Sequence, residues 1–327
     1  MNENYDVVVV GGGAAGLSGA VALARSRRRV LVVDAGEPRN APADGVHNFL
    51  TRDGMPPAEI YATGRAELLG YGGHVAAGRV TGLSREDDLF RVQFRAPASG
   101  QGAGEQSVTA RRLLIATGLR DELPDVPGLA ARWGIDVLHC PYCHGWEVRD
   151  KRVGILATHP DVMHQALLFR QLTEHVTVLR HTGGDFGAQR HEQMDALGIP
   201  VIDGIVEQVE AGPDPIGLTG VRLADGTRVA LDALVVAPLM RANAELLTPL
   251  GLEPTEVRVG EHVMGTQIEA DPTGATKVPG VWVAGNAGAI QAQVITSAAA
   301  GLMAGAVINM DLVNEDARRA VQKIHNR

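Results

Sequence analysis

Apolar positions along this chain gather into short β-branched runs separated by glycine turns and by longer stretches of helical character. Residues 6–10 (DVVVV) form the first run, a helical stretch follows through Ala24, and RVLVVDA ends a second strand at Asp34. Between the first strand and the helix, Gly11, Gly13 and Gly16 fit GxGxxG, with Ala15 inside the same turn. Strand, glycine turn, helix, strand and terminal acid together make a complete βαβ dinucleotide fingerprint. The first glycine permits a tight turn, the second lets backbone approach a pyrophosphate, the third lets helix pack on strand, and Asp34 can bind a ribose hydroxyl. The motif alone does not decide between FAD and NAD. Further apolar runs end at Ala116, Thr117 and Gly118 (RRLLIATG) and at Gly285 and Asn286 (VPGVWVAGN), the latter followed by the helical pattern QAQVITSAAAGLMAGAVI.

With 327 residues, 45% hydrophobic and 21% charged, the chain can bury a large core, and its length favours about two domains. The N-terminus enters an apolar strand without a basic leader, and no apolar stretch approaches the roughly 18 residues of a membrane span. A cytoplasmic protein with no membrane association is the expectation. Lys and Arg number 30 against 38 Asp and Glu, a net charge of -8, so no global field recruits nucleic acid or anionic lipid.

Both cysteines fall in one short segment, VLHCPYCHGWE, as Cys140 and Cys143. Two thiols so spaced point to redox chemistry, because CxxC geometry lowers the pKa of the reactive thiolate. In a reducing cytosol such a pair is more often catalytic than structural. His139 and His144 flank it, and a histidine beside a dithiol is suited to deprotonate an incoming thiol near neutral pH. Cys140, Cys143 and His144 also spell the covalent haem motif CxxCH, but the dinucleotide fingerprint and the lack of an export signal stand against a cytochrome. A zinc site from His139, Cys140, Cys143 and His144 is disfavoured because contiguous residues scarcely close a tetrahedron, so no metal is expected.

In its order of motifs, the chain resembles flavoprotein disulfide reductases of the thioredoxin reductase type from end to end. That family has the N-terminal GxGxxG, a mid-chain ATG, a CxxC shortly after it and a C-terminal strand ending in AGD. The resemblance implies an α/β fold of two Rossmann-like, three-layer dinucleotide-binding domains, the second inserted in the first. An FAD domain would comprise residues 1–115 plus 247–327, and a degenerate NADPH-binding-like domain, 116–246, would carry the CxxC. GLRDELPDVPG and PLMRANAELL read as linkers, and RAPASGQGAGEQ as a loop within the FAD domain. FAD is the implied cofactor. Its contacts would include Gly11, Gly13, Ala15, Gly16, Asp34, Thr117, Gly118, Gly285, Asn286 and Gln293. Asn286 replaces the usual acid, though its amide can still accept a ribitol hydrogen bond. Arg39 and Asn40 lie where they could reach FAD or merely form a turn. His47 lies where the family approaches the flavin ring, with a surface-loop histidine as the competing reading. Tyr142 and Trp146 could flank an apolar substrate or simply pack.

The departures from the family are informative. In RVGILATHPDVMHQALLF, Ala157 and His159 stand where glycines should be and Val162 where a small residue should pack, and Pro160 removes an amide donor. Arg180, His181 and Thr182 replace a His-Arg-Arg clamp for a 2′-phosphate. Loss of NADPH binding is the expectation, with Arg180 or Arg190 as the means by which some nucleotide affinity could persist. CPYCHG with a degraded nucleotide loop is similar to the dithiol oxidases that close disulfides in natural products such as gliotoxin and holomycin. That similarity implies attack of a small-molecule dithiol on Cys140, electron transfer from Cys143 to FAD, and reoxidation by dioxygen, in a homodimer. The alternative is a thioredoxin reductase-like enzyme or redox sensor acting on a protein dithiol or disulfide, fed by ferredoxin or residual NADPH binding.

Overall fold

The computed structural model describes residues 4–97, 104–213 and 217–326. The chain opens with β1 (Asn4–Val10), α1 (Ala14–Arg25), β2 (Val30–Asp34), α2 (Pro57–Gly70), β3 (His74–Ala77), β4 (Arg79–Glu86), β5 (Leu89–Ala96) and β6 (Gly104–Ile115). It continues with β7 (Leu119–Glu122), β8 (Val137–Leu138), α3 (Pro141–His144), β9 (Val153–Leu156), α4 (Met163–Arg170), β10 (Val176–Leu179), α5 (Ala188–Ala196) and β11 (Val201–Ile202). Strands β12 (Val206–Ala211), β13 (Leu218–Leu223), β14 (Arg228–Ala230), β15 (Ala233–Val236) and β16 (Leu239–Ala242) follow. The remainder is β17 (Thr255–Val259), β18 (His262–Gln267), β19 (Val281–Val283) and α6 (Val294–His325).

One sheet runs β3-β2-β1-β6-β5-β4, with β19 also paired to β6, and is parallel through β3, β2, β1, β6 and β19. Its central strand shows why the sequence reads as an unbroken apolar run. Val7 and Val9 join one core with α1 and α6, while Val8 and Val10 join another with β4, β5 and the segment around Leu247. A strand buried on both faces has no position left for a polar side chain. A second sheet, β11-β10-β9-β15-β8, is parallel throughout and repeats this logic: Ile155 faces one core and Leu156 the other. The β12-β13-β14 meander packs beside it. The fold is thus the expected α/β architecture with two dinucleotide-type parallel sheets.

Between the sheets lies a small four-stranded one, β17-β18-β16-β7. The two segments read as linkers are not irregular: GLRDELPDVPG and PLMRANAELL contain β7 and β16, paired antiparallel from Leu239 against Glu122 to Ala242 against Leu119. Leu119, Met240 and Ala242 are buried while Arg120 and Glu122 point outward, a period-two pattern too short to stand out among turn formers. Of the loop RAPASGQGAGEQ, residues 98–103 lie outside the described residues.

A correction concerns α6. It is long and apolar enough to cross a membrane by length and composition, with an 18-residue window of mean hydropathy 1.4, against the expectation that no stretch approached this. Alanines and glycines between its Val, Ile, Leu and Met serve a close helix crossing. A Cβ on Gly301 would fall 2.0 Å from the Ala15 carbonyl oxygen, and one on Gly305 2.7 Å from that of Gly19. Each glycine costs about 1 kcal/mol of helix propensity, and the two backbones could not touch without them.

Candidate active site

A cavity of about 2410 Å³ runs from the β1–α1 turn, past the cysteines, to the β9–α4 turn. At its first end the glycines divide their duties. A Cβ on Gly11 would meet the Ala116 carbonyl oxygen at 2.4 Å, and one on Gly16 the Gly11 carbonyl oxygen at 1.9 Å, so both are fixed by packing. Gly13 has nothing within 4 Å and opens backbone to the cavity. Asp34 accepts backbone hydrogen bonds from Gly12 and Gly36 at 3.2 Å, with Arg65 at 3.8 Å from its other oxygen. Such a turn suits a pyrophosphate at Gly13 and a ribose at Asp34.

The remaining groups expected around a flavin occupy this wall in varied ways. Asn40 accepts a hydrogen bond from the Tyr61 hydroxyl at 2.9 Å, yet its Nδ2 is buried without a partner, a donor awaiting an acceptor. Asn286 Nδ2 donates to the carbonyls of Ala289, Ile290 and Ala292 at 3.2, 3.2 and 2.9 Å. Three carbonyls fix the amide's orientation and leave Oδ1 as its acceptor. Gly285, at φ 72°, must be small because a Cβ would meet that of Ala15 at 2.9 Å. Gln293 caps α6 at the cavity wall and accepts from the Ser297 amide. These residues fit an FAD lying along the cavity.

Other candidates have structural duties. Thr117 Oγ1 donates to the Asn243 carbonyl at 2.8 Å and Asn243 Nδ2 returns a bond to Thr117 at 2.9 Å, joining the two chain crossings beside Gly118. Arg39 forks onto Asp121 at 2.8 and 2.6 Å, tying the first turn region to β7. His47 lies 3.5 Å from both Asp53 and Glu147, so it sits beside the cysteine turn on the strap of residues 46–55.

Cys140 and Cys143 form a disulfide, with Cα atoms 5.3 Å apart. Cys140 caps α3, and the amides of Cys143 and His144 both donate to its carbonyl at 3.2 Å. The turn is pressed onto the second core at Gly145, where a Cβ would lie 2.3 Å from the Pro141 carbonyl oxygen and 2.4 Å from Leu172. Burial lowers the pKa of His144, with Glu147 partly opposing, and its Nε2 is buried without a partner. Burial likewise lowers the pKa of His139, partly opposed by the bond its Nδ1 makes with the Val236 carbonyl at 3.1 Å. With the proton on Nδ1 this bond leaves Nε2 as the basic nitrogen; Gln165 Nε2 also lies 3.1 Å from Nδ1 and would donate to it in the other tautomer. Both imidazoles are therefore held neutral, the form that can take a proton from a thiol.

At its far end the cavity is lined by side chains rather than by glycine backbone. Ala157 is fully buried, and His159 stacks on His262 of β18 with centroids 3.6 Å apart and planes 13° from parallel. Burial, followed by the His262 charge, pushes His159 down to about 4. Arg190 binds Asp161 at 2.7 Å and the Pro160 carbonyl at 2.9 Å. Arg180 pairs with Asp203 at 2.9 Å, and His181 accepts the Val206 amide at 3.0 Å. Both arginines that could serve a phosphate already face carboxylates. His262, Gln165 and Asn243 were not singled out in the sequence, because their roles arise from contacts 26 to 126 residues away and no local motif announces them. Gln165 Nε2, for example, donates to the His139 carbonyl at 3.1 Å.

The model of the pyridine nucleotide-disulphide oxidoreductase family matches residues 5–305. The chain is 30% identical to thioredoxin reductase tcpT of Claviceps purpurea over 94% of each chain. It is also 30% identical to thioredoxin reductase sirT of Leptosphaeria maculans, over 95% of each. The crystal structure of HlmI superposes with a TM-score of 0.86 at 42% identity, covering 100% of this chain and 98% of that one.

Proposed function

Because the chain belongs to the pyridine nucleotide-disulphide oxidoreductase family, as a thioredoxin reductase-like FAD enzyme, we propose that it is a cytoplasmic oxidase closing a disulfide in a small-molecule dithiol, with dioxygen as acceptor. The observation that carries this reading is the asymmetry of the cavity: open backbone at Gly13, and the stacked His159 and His262 at the other turn. A nucleotide entrance filled by side chains leaves the disulfide as the way in for electrons.

In the first half-reaction a dithiol R(SH)2 and the enzyme disulfide give the product disulfide and an enzyme dithiol. The Cys140–Cys143 bond breaks, one S–S bond forms in the product, and two protons transfer to the enzyme. Neutral His144 takes the first proton from the incoming thiol through its unpartnered Nε2, and His139 is the second base within the same turn. The resulting thiolate attacks Cys140, and the substrate's second thiol resolves the mixed disulfide. Gly13, Asp34, Asn40 and Asn286 would hold the cofactor. FAD held there would supply the two-electron acceptor for the enzyme dithiol, and dioxygen, as final acceptor, would take up the two electrons and two protons as hydrogen peroxide.

The holoenzyme with small dithiols in air should consume dioxygen and produce peroxide in a one-to-one ratio, without NADPH. Absence of turnover with every small dithiol, alongside oxidation or reduction of a thioredoxin-like protein, would contradict the reading.

The proposal includes a homodimer. On the outward side of α6, Met303, Met310, Ala317 and Ile324 alternate with Ala306, Val313 and Ala320 at three- and four-residue spacing, all exposed. This is a heptad seam, and a seam repeated along one helix is complementary to its own copy across a two-fold axis. Light scattering should give twice the chain mass, and Met310→Glu should give the monomer; a monomeric parent protein would refute it.

A further inference from the structure

The strap of residues 46–55 lies in the connection from β2 to α2, in the first sheet, and reaches the turn that carries the cysteines between β8 and β9 of the second. It is a stiff arm. The Val46 amide donates to the Met55 carbonyl at 2.9 Å and the Gly54 amide to the Val46 carbonyl at 2.8 Å. A Cβ on Gly45 would fall 2.9 Å from the Gly54 carbonyl oxygen, so the two legs are in backbone contact at the base. Toward the tip, the Arg52 amide donates to the Phe49 carbonyl at 2.8 Å, and the Asn48 amide to the Asp53 carboxylate at 2.8 Å.

Asn48 holds left-handed backbone at φ 57°, a conformation that asparagine accepts more readily than other residues bearing a Cβ. From there its Nδ2 donates to the Tyr142 carbonyl at 2.6 Å. The bond faces solvent, but Asp53 and the strap have already fixed the backbone behind it, so little conformational entropy is left to lose. Gly45, Val46 and His47 line the cavity and Asn48 does not, so its amide serves the cysteine turn rather than the space a cofactor would fill. That turn needs support. Helix α3 is a single turn of four residues without a side-chain cap, too short to hold itself. The closed disulfide restrains it through a covalent loop. Opening that bond in each catalytic cycle removes the restraint, and the strap remains, with Asn48 on Tyr142 and His47 3.5 Å from Glu147.

Resting on the reading that electrons pass from the enzyme dithiol to FAD, we infer that Asn48 is a positioning residue: its side-chain amide keeps the cysteine turn in register with the cofactor wall while the disulfide is open. It touches neither substrate nor cofactor. Its contribution belongs to the step between Cys143 and the flavin, where a small misplacement of the donor slows transfer, and not to the attack of a dithiol on Cys140.

Two variants test this. Asn48→Gly keeps the left-handed backbone and removes the donor, while Asn48→Asp keeps backbone and shape but sets a carboxylate oxygen against the Tyr142 carbonyl. When FAD-loaded protein is mixed anaerobically with dithiothreitol, both variants should lower the limiting rate of flavin reduction roughly three- to tenfold, the worth of one hydrogen bond. The dithiothreitol concentration giving half that rate should not change. In the apoprotein, hydrogen exchange at the Cys143 and His144 amides should quicken in both variants, and more in the dithiol form than in the disulfide form. FAD affinity, titrated into the same apoprotein, should match the parent. Parental exchange in both redox forms, or a parental limiting rate, would overturn the proposal. Weaker FAD binding would overturn it by assigning the amide to the cofactor, and a slowing seen only as a higher demand for dithiothreitol would do so by assigning it to the substrate. If dithiothreitol leaves the flavin of the parent protein oxidised, the oxidase reading fails, while exchange in the chemically reduced apoprotein still decides whether Asn48 holds the turn.

Discussion

The β1–α1 and β9–α4 turns occupy equivalent places in two sheets, yet one leaves backbone bare to the cavity and the other presents stacked side chains. At the first, Gly13 faces open space and Asn40 keeps an unused buried donor. At the second, His159 is covered by His262, and Arg190 is consumed by Asp161 and Pro160. On the proposed reading, the same strand-turn-helix geometry does not carry the same function. Function lies in which backbone is left bare and which polar groups are left unpaired.

The most severe way to break the asymmetry is at the disulfide both ends share. Cys143→Ser should keep the yellow FAD but reduce dithiol-driven flavin bleaching to background; rapid bleaching in that variant would remove Cys143 from the electron path. Next is Gly13→Val. Because its side chain meets nothing in the protein, the apoprotein should melt like the parent while FAD affinity falls about 100-fold, measured by cofactor titration. Gly16→Val sharpens the contrast, since its Cβ strikes backbone at 1.9 Å and should impair folding itself.

Smaller effects concern protons. With the pKa of His144 lowered by burial, the basic form persists below the ordinary histidine value. The rate of flavin reduction by dithiol should therefore rise with pH on a limb lying below about 6.5, and His144→Gln should lose that limb. At the β9–α4 turn, His159 sits near 4 in the folded protein against about 6.5 unfolded. The unfolded chain then binds more protons between those values, so this contribution to stability is full above pH 6.5 and falls as the medium is acidified toward 4. His159→Phe keeps a stacking ring without the titration. Thermal melts at pH 7, 5.5 and 4.5 should show a shallower acid loss than in the parent.

The open turn was legible in the sequence because its signals are local: glycine spacing, a β-branched strand and Asp34 lie within about thirty residues, and each has a steric or hydrogen-bonding reason. The cysteine pair was legible for the same reason. At the β9–α4 turn, the absence of glycine could be read from Ala157 and His159, but not the ring that stacks there, because His262 comes from a hairpin about a hundred residues on. Arg39 was placed near FAD by its closeness to Asp34 and His47 by resemblance, and both line the cavity. The structure ties the first to Asp121 and puts the second between Asp53 and Glu147, duties set by strands and straps that pattern alone does not orient. The two linkers hid short strands, since alternation over four residues carries little signal.

Which turn feeds the flavin is decided by one anaerobic experiment on the FAD-loaded protein, following the flavin band at roughly 450 nm after adding NADPH in one sample and a small dithiol in another. The account predicts that NADPH leaves the band intact and the dithiol bleaches it. Bleaching by NADPH within seconds, with no response to the dithiol, would contradict it.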